Sequence, residues 1–412
     1  MDLLSPKIQR YPWGTVDAIA GLQGRPVPAP GPEAELWMGA HPSAPSALHR
    51  PPAPFASVAS SAPPATPVPL VTLDALIAAS PERELGEQIV ARFGGRLPFL
   101  LKVLSAAKAL SIQVHPSRPQ AEAGYAAENA RGLAPGDPAR NYVDDWPKPE
   151  LLYALTPFEV AAGLRLPADA SALLQALEVD ELKPLAADLT DMPAALASIL
   201  RWPEPAALVA SVVAACQRLS GSGGPYADAC AAAVRVASDH PGDIGVVALL
   251  LMRHEVLQPG QAVFMPAGGL HAYLRGTGIE LLANSDNVVR SGLTGKHIDV
   301  PELLKLLDPA IEVPILAPRI LPDGIAWFDT PAPEFRLYLI DLSAPLALPG
   351  TGPRIVLCLD GNCTLRNTSG QELHLTRGAS CFIPYADGPV HATGHARLVQ
   401  ATPREPSGRA LS

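Results

Sequence analysis

Apolar positions change their period several times along the chain, and each change marks a different kind of structure. Residues 1–49 carry short apolar runs broken by aromatic and turn residues, as in Tyr11-Pro12-Trp13-Gly14, which predicts short strands and turns. Residues 50–69 are almost wholly Pro, Ala, Ser, Val and Thr without a helical period, the pattern of an exposed connector. Leu73, Leu76, Ile77, Leu85, Ile89 and Val90 recur at helical spacing, predicting two helices divided at Ser80-Pro81 and ended by Gly94-Gly95. Residues 97–104 and 110–116 then read as two strands, and together as a hairpin. Over residues 168–248 the composition shifts to Ala, Leu and Val with apolar positions such as Leu173, Leu177, Leu196, Leu208 and Val212. That is a helical module, cut by Pro203, Pro205 and the Gly221–Pro225 cluster. Strand-like sequence returns over residues 254–282. A closing helix follows, with Asp299 as N-cap and Pro301 in its first turn. Beyond residue 317 short strands, at 335–342, 354–359, 363–367 and 396–401, fill a separate all-β domain.

A repeat ties the two β regions together. Gly260-x3-Phe264-x-Pro266-x4-His271-Ala272 recurs as Gly378-x3-Phe382-x-Pro384-x6-His391-Ala392. Glycine turn, apolar strand, proline and then histidine resembles the double-stranded β-helix of cupins. The expected fold is therefore mainly β with an α-helical insert: two cupin-type barrels plus a helical domain. The expected division is a catalytic barrel from residues 1–165 and 251–316, a helical domain at 166–250, and a C-terminal cupin-like domain at 317–412.

Composition narrows the function. The 412 residues are 48% hydrophobic and 17% charged, which excludes wholesale disorder, and the net charge of −9 without a long basic run argues against nucleic acid or anionic membrane as partner. No secretory h-region and no apolar run of membrane-spanning length is present, so the expected location is cytoplasmic. Cys216, Cys230, Cys358, Cys363 and Cys381 are odd in number and lack CxxC spacing, which suits reduced packing thiols.

Candidate chemistry begins with Gln113-x-His115 on a strand, where alternation turns both side chains to one face about 7 Å apart at Cα. Glu150 follows a Trp146-Pro147-Lys148-Pro149 turn, and His271 follows the first copy of the repeat. Nitrogen and oxygen donors without thiolate suit a divalent metal such as zinc in a catalytic site. Taken singly, each residue also reads as an ordinary strand-end histidine, hydrogen-bonded glutamine or surface carboxylate, and spacing alone does not bring the four together.

Longer words do. Residues 34–43 (AELWMGAHPS), 110–116 (LSIQVHP), Lys148-Pro149-Glu150 and 284–294 (NSDNVVRSGLT) closely resemble the type I mannose-6-phosphate isomerases, in that family's order. The resemblance covers residues 11 to about 300, and the C-terminal barrel by architecture only. It implies one Zn²⁺ per chain held by Gln113, His115, Glu150 and His271, Arg290 as the catalytic arginine, and interconversion of mannose 6-phosphate and fructose 6-phosphate through a cis-enediol(ate), a step toward GDP-mannose. Lys148, inside the metal word, is assigned to charge stabilisation or acid–base help. Ser111, Lys296 and Arg290 are the candidates for the phosphate. Tyr273 and Asp286 are placed in the pocket lining, Glu280 as base or orienting group, and His41 as a proton shuttle or a packed neighbour of Trp37. The implied partner is a small sugar phosphate, and the expected state is a monomer. The second barrel, without a Gln-x-His pair, is expected to be metal-free.

One departure stands out. The family commonly has Asn-His before Lys-Pro-Glu, and this chain has Trp146-Pro147. The missing histidine leaves proton transfer to another residue, and it favours as rivals an inactive relative, one acting on a different sugar phosphate, or a sugar-binding bicupin. An iron-dependent dioxygenase is disfavoured by the glutamine in the donor set.

Overall fold

The computed structural model describes residues 1–49 and 71–405, so the connector expected over 50–69 lies outside the described residues. The chain forms two compact units, one of residues 1–10, 16–103 and 318–412, the other of residues 11–15 and 104–317. Both are built on antiparallel sheets, and the helical insert belongs to the second. Mainly β with an α-helical insert is what the periodicity predicts.

In the second unit the 13-residue strand His271–Ala283 serves two sheets. Its later half pairs with Glu150–Ala154, which pairs in turn with Ala262–Met265. Its first half pairs with Phe158–Leu164 and, at His271, with Ile112–Val114. The register shifts between Tyr273 and Arg275, and Gly276 follows with φ +134°. A Cβ there would come within 2.8 Å of the Phe158 Cα, so the bend requires glycine. Leu104, Leu152, Phe158, Val160, Val263, Met265 and Tyr273 pack between the sheets.

Alternation on these strands decides what faces what. Ile112 and Val114 point outward into a large apolar cluster with Ala272, Val289, Leu173, Leu196, Leu208, Val212 and Val246. Gln113, His115, His271 and Arg290 therefore turn to the opposite face. The helical module, from Pro167–Ala176 to Gly245–Leu250, thus backs the site-bearing sheet. Each fully buried leucine or valine in that seam contributes about 1.5–3 kcal/mol. Pro205, one of the breaks read in the module, begins the helix Pro205–Ser220, and Asp299 caps Val300–Leu306 by accepting from the Glu302 N–H at 2.9 Å, as its position predicts.

Three expectations are corrected. The stretch 73–93 forms three helices, Leu73–Ala79, Pro81–Leu85 and Glu87–Phe93, because Gly86 at φ +86° breaks it a second time. The strands Phe99–Ala106 and Ile112–Val114 make no hairpin, since Ile112–Val114 pairs with His271–Ala283 and Val289–Gly292 instead. In the first unit, 354–359 and 363–367 are one strand, Arg354–Asn367, carried round a bulge between Cys358 and Asp360. That strand pairs with Ser380–Ile383 and with Val390–Thr402, and the N-terminal strand Asp2–Ser5 extends the same sheet. All five cysteines are free and buried. Among the described residues no single helix is long and apolar enough to cross a membrane.

Candidate functional site

Three of the four expected donors meet. One ligand atom each from His115, Glu150 and His271 lies within 4.8 Å of the others, and all three residues are buried. The His115 Nε2 is 3.1 Å from Glu150 Oε1 and the His271 Nε2 is 3.4 Å from Oε2. Neither Nε2 takes part in a hydrogen bond. The reason lies at the far side of each ring: His115 Nδ1 is 2.8 Å from the Asn287 carbonyl oxygen and His271 Nδ1 is 3.0 Å from that of Gly269. A carbonyl only accepts, so each Nδ1 carries a proton, and in the neutral ring the lone pair is then on Nε2, on the side of Glu150. Two such lone pairs and a carboxylate facing one another are mutually repulsive unless a cation sits among them. The donor set fits a divalent ion such as zinc.

Electrostatics favours the metal-ready protonation states. Burial, helped by the Lys148 charge, lowers the His115 pKa to about 4, with Glu150 opposing, so the ring is neutral at pH 7. Burial pushes the Glu150 carboxyl up, but Lys148 and then His115 hold it well below the usual carboxylate range. Lys148 Nζ lies 3.0 Å from Glu150 Oε1. Tyr273 donates from its hydroxyl to Glu150 Oε2 at 3.2 Å, and burial together with Glu150 and Glu280 keeps the phenol protonated.

Gln113 joins the cluster by register. It stands opposite His271 on one side and Arg290 on the other, so His271, Gln113 and Arg290 form a cross-strand row on one face. Ser111, two residues before Gln113, precedes that strand and is partly exposed. Glu280 is buried opposite Leu152 while Glu150 stands opposite Leu282, which makes the two glutamates diagonal neighbours about 7 Å apart. Desolvation lowers the Arg290 pKa against the pull of Asp286. For Lys296 desolvation and then the Arg290 charge do the same. Asp286 and Lys296 thus neighbour Arg290, both at the surface. His41, in the other unit, packs edge-on against Trp37 at 4.9 Å with Ser43 Oγ 2.8 Å from its Nδ1.

Some residues that build the site escape a sequence reading. Gly269 and Asn287 hold the two rings through backbone oxygens, which no side-chain type advertises. Asp144 binds Ser285, Trp146 and Asp286 through its carboxylate. Only Asn287 lies inside one of the recognisable words. In the first unit Lys102 is buried with its Nζ 3.4 Å from Glu35 and over the Trp37 ring, although nothing in its apolar run marks it.

Comparison with known proteins points the same way. A family profile described as phosphomannose isomerase type I, catalytic domain, matches residues 1–166, and one described as mannose-6-phosphate isomerase, cupin domain, matches residues 327–403. The mannose-6-phosphate isomerase of Escherichia coli is 35% identical, covering 97% of this chain and 99% of its own. That of Rattus norvegicus is 31% identical over 92% of each. Among solved structures, a point mutant of phosphomannose isomerase from Salmonella typhimurium has a TM-score of 0.86 at 33% identity, covering 98% of this chain and 100% of its own. A mannose 6-phosphate isomerase bound with zinc and yttrium has a TM-score of 0.84 at 34% identity, with the same coverage.

Proposed function

The chain belongs to the type I phosphomannose isomerases, and from that premise we propose that it interconverts mannose 6-phosphate and fructose 6-phosphate at one zinc ion held by Gln113, His115, Glu150 and His271. The observation that carries the zinc reading is the pair of Nε2 atoms aimed at one carboxylate, each ring held from its far side by a backbone oxygen on Nδ1. The zinc in a solved relative supports it. Bound there, zinc supplies Lewis acidity that draws electron density from sugar oxygens.

The remaining work falls to side chains. Moving the carbonyl from C1 to C2 of the open-chain sugar removes the C2 proton, holds a cis-enediolate and returns a proton to C1. The Lys148 ammonium and the Arg290 guanidinium offset the negative charge that develops, Arg290 with paired donors. Tyr273 stays a phenol and fixes one oxygen of Glu150, so it orients a ligand and carries no proton between carbons. Ser111, Lys296 and Arg290 receive the phosphate, and Asp286 holds the two cations in place. Pro147 cannot exchange a proton, so the transfer rests on Lys148 or Glu280.

A coupled assay of fructose 6-phosphate formation tests the proposal on zinc-loaded protein, chelator-treated protein and Gln113→Ala. Turnover lost with the metal and restored by zinc is the expected outcome. Folded, zinc-containing protein without turnover would sink the activity. Pro147 favours one second reading, action on another aldose phosphate, and the same assay run with such phosphates decides it.

A further inference from the structure

We infer that Asn287 is the positioning residue of the metal centre, clasping the His115 ring, the arm that carries Lys148 and Glu150, and the strand of Arg290 in one hydrogen-bonded knot. The inference rests on the zinc reading above. Asn287 is fully buried. Its backbone oxygen accepts from the His115 Nδ1–H, the two atoms 2.8 Å apart. Its side-chain Oδ1 accepts from the backbone N–H of Val143 at 2.7 Å and of Asp144 at 3.1 Å. Its Nδ2 donates to the backbone oxygens of Asp144 and Trp146 at 2.7 and 2.8 Å and reaches Asp144 Oδ1 at 3.2 Å. Ser285 closes the knot: its hydroxyl donates to Asp144 Oδ1 at 2.8 Å and accepts from the Asn287 N–H at 3.2 Å.

The side chain needs both an acceptor and a donor on one short planar group, which among residues of this size only asparagine offers. From Trp146 the chain runs through Pro147 and Pro149 to Glu150, and the fixed φ of each proline limits the slack in between. A displacement of Trp146 is therefore passed on to Lys148 and Glu150 instead of being absorbed. On the other side Arg290 follows Asn287 by three residues and enters the strand opposite Gln113. One residue thus ties a ligand ring, through its backbone oxygen, to the arm of a ligand carboxylate, through its side-chain amide, three positions before the catalytic arginine. Partners that orient ligands in this way change metal affinity roughly ten- to a hundredfold when removed.

The test compares Asn287→Asp, Ser285→Ala and, as a control for general destabilisation, Val212→Ala in the helical core. Zinc affinity is read by competition with a chelator, ligand geometry by the visible spectrum of the cobalt-loaded protein, and folding by circular dichroism. Asn287→Asp turns a carboxylate on two carbonyls and on Asp144, and is expected to weaken zinc roughly ten- to a hundredfold and to shift the cobalt bands. Ser285→Ala is expected to move both in the same direction by less, and Val212→Ala to lower the melting temperature while moving neither. Folded Asn287→Asp with wild-type zinc affinity and cobalt spectrum would overturn the inference. If that variant does not fold, Ser285→Ala decides by the same two readouts. Wild-type protein that takes up no zinc overturns the zinc reading itself, which separates the two failures.

Discussion

A histidine buried beside a lysine is a poor base, and His115 shows what that does to the whole site. The unfolded chain takes up a proton at that ring near its ordinary pKa of 6.5, whereas the folded, metal-free protein does so only at about 4. Between those values folding excludes a proton, so stability falls as the pH drops through the window and this contribution stops falling below about 4. At about 1.36 kcal/mol per unit the loss is about 3 kcal/mol. Glu150, whose carboxyl is held low, adds a loss that begins only below its ordinary 4.5. Urea midpoints of zinc-stripped protein are expected to fall steeply between pH 6.5 and 4, and His115→Gln to flatten that fall. An unchanged slope in the variant would assign the titration elsewhere. Lys148 gives a second residue-scale outcome. Its ammonium and the zinc both compensate Glu150, so Lys148→Met should keep bound zinc while losing on the order of a hundredfold or more in turnover, the range of general acid–base and charge-stabilising groups. Loss of zinc together with turnover would make Lys148 a support of the ligand and nothing more.

At the scale of elements, what was legible in the sequence follows from short-range physics. Alternation in Ile112-Gln113-Val114-His115 separates helix-facing from site-facing residues without any knowledge of the partner strands. Pro205 and Asp299 mark helix starts by local backbone chemistry. Pairing is different, because the neighbour of a strand is chosen by residues far away. Ile112–Val114 finds His271–Ala283 across more than 150 positions, and the nearer strand is passed over. The same gap explains why Gln113 and His271 were recognisable only through longer words and not through spacing. Close approaches between elements are equally invisible. The helix Gly245–Leu250 abuts the end of the Arg290 strand, where a Cβ on Gly245 would lie 2.7 Å from the Leu293 nitrogen. Backbone on both sides cannot yield, so Gly245→Ala should cost about 1–3 kcal/mol and lower KM-weighted turnover by shifting Arg290. Denaturant midpoints and steady-state kinetics check both, and a variant of wild-type stability would show that the helix slides freely over the strand.

At the scale of the molecule the repeat becomes an argument about metal stoichiometry. Phe264-Met265 and Phe382-Ile383 are corresponding pairs in the two copies. Glu150 stands opposite Met265, and Arg354 stands opposite Ile383. The second copy therefore carries a guanidinium where the first carries the carboxylate of the candidate metal site. Arg354 is fully buried and donates to the backbone oxygens of Gly350 and Gly388, tying two loops. Burial lowers its pKa only to about 10, so it remains cationic at neutral pH. A guanidinium offers no lone pair to a metal, and its charge repels one. The two copies thus share a strand order while holding opposite charge at the corresponding position, one suited to a divalent cation and one to carbonyl oxygens. One zinc per chain is the expected result of elemental analysis on purified protein, falling to near zero in His271→Ala and staying at one in Arg354→Met. Two zinc ions per chain, or a zinc that survives loss of His271, would mean that the second copy binds metal with donors other than those the repeat aligns.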